Sequence, residues 1–150
     1  MTETSDKTAF VRLLEQHGLK KTKPRLSVLE ILASRTTAIS QPELEEFLGN
    51  EIDRVTLYRT LKTFEDNGIL HKIIDFNGTA NYASCDTGHC SAEAHNDQHV
   101  HFNCTICLNV YCLESLDIPK LAMPGGFVAS STHLLVYGIC EDCTKKQAHL

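Results

Sequence analysis

The sequence predicts an α+β protein made of two small domains, the first helical and the second mostly β. Apolar residues recur at helical spacing in four segments of the first half, and two β-prone runs around an Asn-Gly pair follow them directly. Beyond residue 98, short β-prone runs alternate with Pro and Gly. A second domain of this size buries only a marginal core, so we expect it to need an additional cross-link that stabilises it.

Two helices are predicted near the start of the chain from their apolar spacing and their end signals. The first covers residues 8–17 and ends at Gly18, a residue type that suits a helix C-terminus. The second begins at Pro24, because proline is favoured in the first turn of a helix, and is expected to reach about Ser34. Between these helices lies a basic turn.

Two further helices follow, each with an N-terminal capping signal. Ser40 and Glu43 match the S-x-x-E capping box, and Asp53 precedes the run RVTLYRTLKTFED. Asn67-Gly68 then ends the fourth helix. The apolar residues of these two helices that are expected to face the core are Leu44, Phe47, Leu48, Val55, Leu57, Leu61 and Phe64.

A β-hairpin is predicted next, since Asn77-Gly78 is a strong hairpin signal between β-prone runs. Helices followed by such a hairpin indicate a winged helix-turn-helix domain over residues 1–84. We place a linker at residues 85–98, which lack apolar periodicity but contain metal-binding side chains, and a second domain at residues 99–150. Its strands are expected in HVHFNC, LNVYCLE and FVASSTHLLVYGIC, and the intervening prolines argue against a long helix.

Two CxxC pairs are the strongest chemical signal in the sequence. Cys104 and Cys107 form one pair, Cys140 and Cys143 form the other, and each pair can close one edge of a tetrahedral thiolate site for Zn²⁺. The 32 residues between the pairs indicate a site that ties two β-elements together. We therefore expect a structural zinc that stabilises the second domain. The competing interpretation is a thiol-disulfide oxidoreductase, but neither pair lies in a thioredoxin-like βαβ context.

Histidines and a further cysteine form a second candidate metal site. It comprises His71, Cys85, His99 and His101, and the last two alternate along a predicted strand, which places both imidazoles on one face. Taken alone, the HxH pattern is a weak signal, and a His-rich loop can simply be solvated. Other potential ligands nearby in the sequence are His89, Cys90, His95, Cys112 and Glu114.

The charge distribution leaves nucleic-acid binding open. The net charge is −5, yet residues 1–74 contain 11 basic and 11 acidic residues, whereas residues 75–150 contain 3 and 8. A basic cluster that includes Lys20 and Arg25 is typical of a phosphate-binding surface, although a solvated lysine-rich turn has the same composition. The fourth helix offers the groups that a recognition helix needs, namely Thr56, Tyr58 and Arg59.

No signal-like or membrane-spanning apolar run occurs in the sequence. We therefore expect a cytoplasmic protein without a membrane partner. In a reducing compartment, closely spaced cysteines are more often metal ligands than structural disulfides.

Four segments together resemble the ferric uptake regulator (Fur) family in order and spacing: GLKKTKPRLSVLEIL, RVTLYRTLKTFEDNGILHK, HVHFNCTIC and YGICEDC. The resemblance covers nearly the whole chain. It implies a dimeric winged-helix repressor that binds palindromic operators when its sensory metal is loaded, with a dimerisation domain at residues 99–150. It also implies that Lys20 reaches into the minor groove and that Tyr58 and Arg59 contact a base and the DNA backbone.

Several positions depart from the ferric and peroxide-sensing members of that family. Ala38 and Val100 stand where those members often carry a ligand or an acid, and Cys112 stands where an acidic ligand is expected. By contrast, Gly68-x-x-His71-Lys72 and Tyr82-x-x-Cys85 resemble the zinc uptake regulators, in which the positions matching His71 and Cys85 bind the sensory zinc. Thiolate and imidazole ligands favour Zn²⁺ over Mn²⁺ or Fe²⁺, which suit sites with harder ligands.

The expected protein is a homodimeric, zinc-dependent repressor of metal-uptake genes, with double-stranded operator DNA as its partner. It is not expected to be an enzyme or to take a small-molecule substrate. The alternative is an iron- or peroxide-responsive regulator of the same family, whose sensory ion would be Fe²⁺ or Mn²⁺. A zinc-buffering protein is a third interpretation, but it would not need the basic turn or the recognition helix.

Overall fold

The computed structural model describes residues 3–84 and 99–149, and the side chains of residues 6–84 and 100–149. The elements before residue 85 are α1 (Glu3–Gln16), α2 (Lys23–Ala33), β1 (Ile39–Ser40), α3 (Gln41–Leu48), α4 (Arg54–Asp66), β2 (Leu70–Ile74) and β3 (Ala80–Ser84). Those after residue 98 are β4 (His99–Cys104), β5 (Val110–Asp117), β6 (Leu135–Gly138) and α5 (Glu141–Ala148).

The helices of the first domain enclose one apolar core, and their capping signals act as predicted. Ser40 accepts a hydrogen bond from the N–H of Glu43, whose carboxylate accepts one from the N–H of Ser40, so the capping box of α3 is present. Asp53 caps α4 by accepting from the N–H of Thr56 at 2.9 Å. The buried core residues are Leu14, Val28, Leu29, Leu32, Ile39, Leu44, Leu48, Ile52, Leu57, Leu61, Phe64, Ile69, Leu70 and Tyr82.

The predicted hairpin forms the wing of this domain. Strands β2 and β3 pair antiparallel with Ile74 opposite Ala80, and the turn between them contains Gly78 at a φ of 79°, a conformation that favours glycine. The two-residue β1, which is too short to be predicted from a pattern, adds to the free side of β3. The winged helix-turn-helix fold is therefore confirmed.

Two side chains that were expected in the core lie on the surface instead. Phe47 is 65% exposed and Val55 is 58% exposed. The buried face of α4 is formed by Leu57, Thr60, Leu61 and Phe64, which follow the i, i+3, i+4, i+7 spacing of one helix side. Val55 precedes Leu57 by two positions and so points roughly 200° away from it around the helix axis.

The second domain is a three-stranded sheet with β4 in the centre. Strand β4 pairs antiparallel with β5 and parallel with β6. Only Leu135–Gly138 of the long run predicted as a strand at residues 127–140 forms one, whereas residues 118–134 contain neither helix nor strand. The absence of a helix there agrees with the prolines in that segment. Helix α5 was not predicted because Cys143 is its one buried residue, which leaves no apolar periodicity to detect.

The two sheets contact each other directly. Ala38, Ile73 and Ala83 of the first domain pack in one apolar cluster with Val110 of the second. The N–H of Ala38 also donates to the carbonyl oxygen of Val110 at 2.9 Å. The wing thus lies against the start of β5.

None of the helices within residues 3–84 and 99–149 is long and apolar enough to cross a membrane. The linker predicted at residues 85–98 lies outside the described residues. The domain boundaries at 84 and 99 therefore stay a prediction.

Candidate metal centres and DNA-binding helix

The four-cysteine group, consisting of Cys104, Cys107, Cys140 and Cys143, gathers at one end of the second sheet. The sulfur atoms all lie within 4.8 Å of one another. Cys104 is the last residue of β4 and Cys107 follows in the next turn, while Cys140 caps the N-terminus of α5 and Cys143 lies in its first turn. Cys107 is exposed, and the other three cysteines are buried. The structure thus brings together the four residues that the CxxC pattern singled out.

Electrostatics within this group favour a bound cation. Burial raises the pKa of the Cys104 thiol, but backbone N–H groups, including those of Cys140 and Ile106 at 3.4 Å, outweigh it and lower that pKa to about 6. Burial and the neighbouring thiols raise the pKa of Cys143 to about 12. Sulfurs this close cannot all ionise unless a cation joins them, and four thiolates are a standard ligand set for structural Zn²⁺.

Tyr111 supports the group from strand β5. Its hydroxyl hydrogen-bonds to the sulfur of Cys140, which is the largest cause of the lowered pKa of that thiol. Within the described residues, none of the cysteines forms a disulfide.

The His-His-Cys group, consisting of His71, His101 and Cys112, lies between the wing and the second sheet. One potential ligand atom of each residue lies within 4.8 Å of those of the other two. The Nε2 atom of His71 is 3.2 Å from Sγ of Cys112, and the two imidazole rings are 5.2 Å apart between centroids. Both histidines are almost fully buried, with exposed fractions of 2% for His71 and 4% for His101.

Strand register explains how this group forms. His101 on β4 and Cys112 on β5 are direct partners in an antiparallel pair, so their side chains share one face of the sheet. His71 enters from β2, because the wing packs against the same sheet next to Val110. Three strands from two domains therefore supply one potential ligand each.

The structure brings together two of the four residues predicted for the sensory site and adds a third. His71 and His101 meet, whereas Cys85 lies outside the described residues. His99 begins β4 opposite Asp117, its side chain is outside the described ones, and the strand pairing shifts register between His99 and Val100. The role of His99 and its shared face with His101 stay predictions.

Cys112 was noted in the sequence as a nearby potential ligand but was not placed in the site. Its signal was its position, where an acidic ligand was expected. What the sequence does not show is the register that sets Cys112 opposite His101.

Helix α4 exposes one stripe that faces away from the core. The stripe consists of Val55, Tyr58, Arg59 and Lys62, again at i, i+3, i+4, i+7 spacing, and Tyr58 is 57% exposed. Thr56 is partly buried and its hydroxyl donates to the Asp53 carboxylate at 2.6 Å. Tyr58 and Arg59 are thus accessible for DNA contacts, whereas the Thr56 hydroxyl is part of the helix cap.

The other two residues predicted to contact DNA lie in the basic turn before α2 and in the first turn of that helix, which begins at Lys23. Lys20 is exposed. The guanidinium of Arg25 donates to the carbonyl oxygen of Lys20 at 2.8 Å, so Arg25 braces the backbone that carries Lys20.

Comparison with known proteins assigns this arrangement to a family. The sequence pattern of the ferric uptake regulator family matches residues 16–124. The chain belongs to that family. The ferric uptake regulation protein of Bordetella parapertussis is 35% identical over 141 residues, which cover 88% of this chain and 94% of that protein. The protein of the same name from Neisseria meningitidis serogroup C is 32% identical over 151 residues, covering 94% of this chain and 97% of that protein.

Solved structures share the fold of this ferric uptake regulator family member. A zinc uptake regulator complexed with zinc and DNA matches it with a TM-score of 0.74 and 21% identity over 99% of both chains. The ferric uptake regulator of Vibrio cholerae matches with a TM-score of 0.58 and 26% identity over 86% of this chain and 98% of that one. As a member of the family, the protein is a metal-responsive DNA-binding regulator and not an enzyme.

Proposed function

We propose that this protein is a homodimeric repressor that binds operator DNA when zinc occupies the His-His-Cys group. The observation that carries the proposal is the place and composition of that group, which joins the wing of the DNA-binding domain to the second sheet. Its partners are double-stranded operator DNA and a second copy of the chain.

The donor atoms of the His-His-Cys group favour zinc over iron or manganese. Two imidazoles and a thiol are borderline to soft ligands, and no carboxylate of the described residues belongs to the group. Zn²⁺ usually takes four ligands in a tetrahedron, which leaves one position, and we propose that either Cys85 or His99 fills it. The four-cysteine group would hold a second, structural Zn²⁺.

An ion bound by the His-His-Cys group would affect how the two domains are arranged when the protein binds DNA. Its ligands come from β2 in the first domain and from β4 and β5 in the second. Coordination bonds that form only when these strands are together shift the population towards this arrangement. In a dimer, the arrangement sets the separation of the two α4 helices, which must match half-sites spaced by whole turns of DNA.

The DNA-contacting residues follow from exposure and charge. We propose that Arg59 contacts the DNA backbone and Tyr58 a base, with support from the exposed stripe of α4. Lys20 would reach the minor groove from the basic turn, and Arg25 would hold that turn in place. Thr56 would contribute mainly by fixing the start of α4.

An iron sensor is the second candidate, because the relatives from Bordetella and Neisseria are ferric uptake regulation proteins. It would bind Fe²⁺ or Mn²⁺ through harder ligands. The scarcity of carboxylates in the His-His-Cys group favours zinc.

The test measures the affinity for operator DNA at controlled concentrations of free metal ion. An operator duplex is first selected from random-sequence DNA with the zinc-loaded protein. Binding to that duplex is then followed by fluorescence anisotropy at buffered free Zn²⁺, and in parallel with Mn²⁺ or with Fe²⁺ under anaerobic conditions. We expect zinc to increase the affinity about 5- to 150-fold, the usual range of allosteric coupling. We also expect Zn²⁺ to produce this increase at a lower free concentration than Mn²⁺ or Fe²⁺.

Variants of the site supply the controls. His71→Ala and Cys112→Ser should keep the zinc of the four-cysteine group but lose the zinc-dependent gain in affinity. His133→Ala is the matched control, since His133 is an exposed histidine outside both groups and should respond as the parent does. An unchanged zinc response of Cys112→Ser would place the sensory site elsewhere, and a stronger response to Fe²⁺ than to Zn²⁺ would favour the second candidate.

A further inference from the structure

Asn103 is a fully buried amide at the centre of the second sheet. It lies in β4 between His101 and Cys104, and its exposed fraction is 0%. Burying an amide costs free energy unless its polar atoms form hydrogen bonds. The hydrogen bonds of Asn103 therefore indicate its structural role.

The polar contacts of Asn103 reach the backbone of two different segments. Its Nδ2 donates to the carbonyl oxygens of Leu108 at 3.2 Å and Asn109 at 3.4 Å. Its Oδ1 accepts from the N–H of Phe76 at 3.3 Å. The carbonyls require a donor and the N–H requires an acceptor, so both sides fix the same orientation of the amide. One side chain therefore links the wing to the turn after Cys107.

That turn is part of the loop that holds the four-cysteine group. The N–H of Leu108 donates to the carbonyl oxygen of Cys104 at 3.1 Å, and the N–H of Cys104 donates to the carbonyl oxygen of Asn109 at 3.0 Å. Leu108 has a φ of 66°, and within the described chain it is the one residue other than glycine with a positive φ. This conformation is unfavourable for leucine, so the turn depends on the contacts around it, including those from Asn103.

The wing turn, by contrast, has internal hydrogen bonds that do not use the N–H of Phe76. The carboxylate of Asp75 accepts from the N–H groups of Asn77 and Thr79, both at 2.9 Å, and the N–H of Gly78 donates to the carbonyl oxygen of Asp75 at 2.9 Å. Phe76 occupies the second position of this turn, and its N–H points out of the turn to Asn103. Its ring also meets Tyr137 of β6 edge-on, with centroids 5.9 Å apart.

We infer that Asn103 is a positioning residue that couples the four-cysteine group to the wing. The inference rests on the proposed function. When the four cysteines hold a metal, the turn at Leu108 is fixed, and Asn103 holds Phe76 and the wing against the second sheet. The four-cysteine group then contributes to operator binding as well as to folding. By linkage, operator DNA must in turn protect the four cysteines.

The sharpest test removes a single hydrogen-bond donor from the wing. Phe76→Pro deletes the N–H that donates to Asn103, at a turn position where proline is favoured. It also deletes the phenyl ring, so the matched control is Phe76→Ala, which loses the ring but keeps the N–H. At saturating free Zn²⁺, we expect Phe76→Pro to bind the selected operator duplex about two- to tenfold more weakly than Phe76→Ala, the usual effect of one hydrogen bond.

A second measurement separates coupling from a loss of local structure. Alkylation of each cysteine of the four-cysteine group is followed by mass spectrometry at buffered free Zn²⁺, with and without saturating operator duplex. The duplex should slow alkylation in the parent and in Phe76→Ala. In Phe76→Pro, and in Asn103→Leu, which removes both links but keeps the branched shape of the side chain, the duplex should have little effect on the alkylation rate.

The outcomes are distinct. Equal slowing in all four proteins, or no slowing in the parent, would overturn the inference while zinc-dependent operator binding stands. A parent protein that shows no zinc-dependent operator binding would overturn the proposed function and this inference with it. If Asn103→Leu does not fold, the comparison of Phe76→Pro with Phe76→Ala decides alone.

Discussion

His71 and Cys112 are 41 positions apart in the sequence, yet Nε2 of the histidine lies 3.2 Å from Sγ of the cysteine. The contact joins β2 of the wing to β5 of the second sheet. A metal ion bound by both residues, as proposed above, would link the orientation of the two domains to the metal concentration.

Replacing the sulfur ligand by an oxygen ligand should change the metal preference. In Cys112→Asp, the group would offer two imidazoles and a carboxylate, a harder set that suits Fe²⁺ and Mn²⁺ better. We expect weaker zinc binding and a larger response of operator affinity to Mn²⁺ than in the parent. Competition titrations with Zn²⁺ and Mn²⁺ measure this, and a parent-like metal order would show that Cys112 is not a ligand.

Loss of one thiol from the four-cysteine group should unfold the second domain. Cys104→Ser or Cys143→Ser opens a tetrahedral site whose zinc binding is worth about 10–16 kcal/mol in small zinc domains. We expect the variants to lose one equivalent of zinc and to become monomeric. Metal analysis and sedimentation check both points, with Cys112→Ser as the control that should stay dimeric. A dimeric Cys104→Ser of unchanged thermal stability would contradict the structural role.

The cap of the recognition helix should contribute measurably to stability. Asp53→Ala removes the acceptor for the N–H and hydroxyl of Thr56, which should lower the midpoint of urea unfolding. Asp53→Asn keeps an acceptor oxygen and should cost much less. Urea unfolding followed by circular dichroism distinguishes the two, and equal losses would exclude a capping effect.

The same cap predicts a pH dependence with a definite sign. The hydrogen bonds from Thr56 lower the pKa of Asp53 in the folded protein below its value in the unfolded chain. The charged cap therefore stabilises the protein above the unfolded-state pKa, and this stabilisation is lost as the pH falls through the folded-state pKa. The difference in stability between the parent and Asp53→Ala should accordingly shrink in acid, whereas a difference that grows in acid would contradict this.

Arg59 should contribute through charge and not through base identity. Arg59→Ala is expected to weaken binding to operator and unrelated DNA alike and to reduce the slope of log affinity against log salt by about one. Lys145→Ala removes the same charge from α5 in the second domain and should leave the slope unchanged. A slope that Arg59→Ala does not alter would argue against a phosphate contact.

Local signals predicted the first domain well because each acts over a few residues. The capping box at Ser40, the cap at Asp53 and the turn at Gly78 all appear where the sequence placed them. Val55 was misplaced because an apolar residue at the start of a helix can belong to either face, and only packing against the rest of the domain decides.

The two candidate metal sites also differ in how fully the sequence predicts them. The spacing within each CxxC pair is local, so the four-cysteine group was predictable in full. The His-His-Cys group depends on the register of β4 with β5 and on the docking of the wing, neither of which leaves a pattern in the sequence. Cys112 and Asn103 gain their roles from those long-range contacts.

The separation of the two CxxC pairs also sets an order of events on the ribosome. Cys107 and Cys140 are 33 positions apart, which at about 5–20 residues per second takes roughly 2–7 s to synthesise. The elements of the winged-helix domain, which end at Ser84, have all been made before either pair exists. Each new chain therefore passes through a stage in which all residues of the winged-helix elements have been made, whereas the four-cysteine group is complete only after Cys143 has been added.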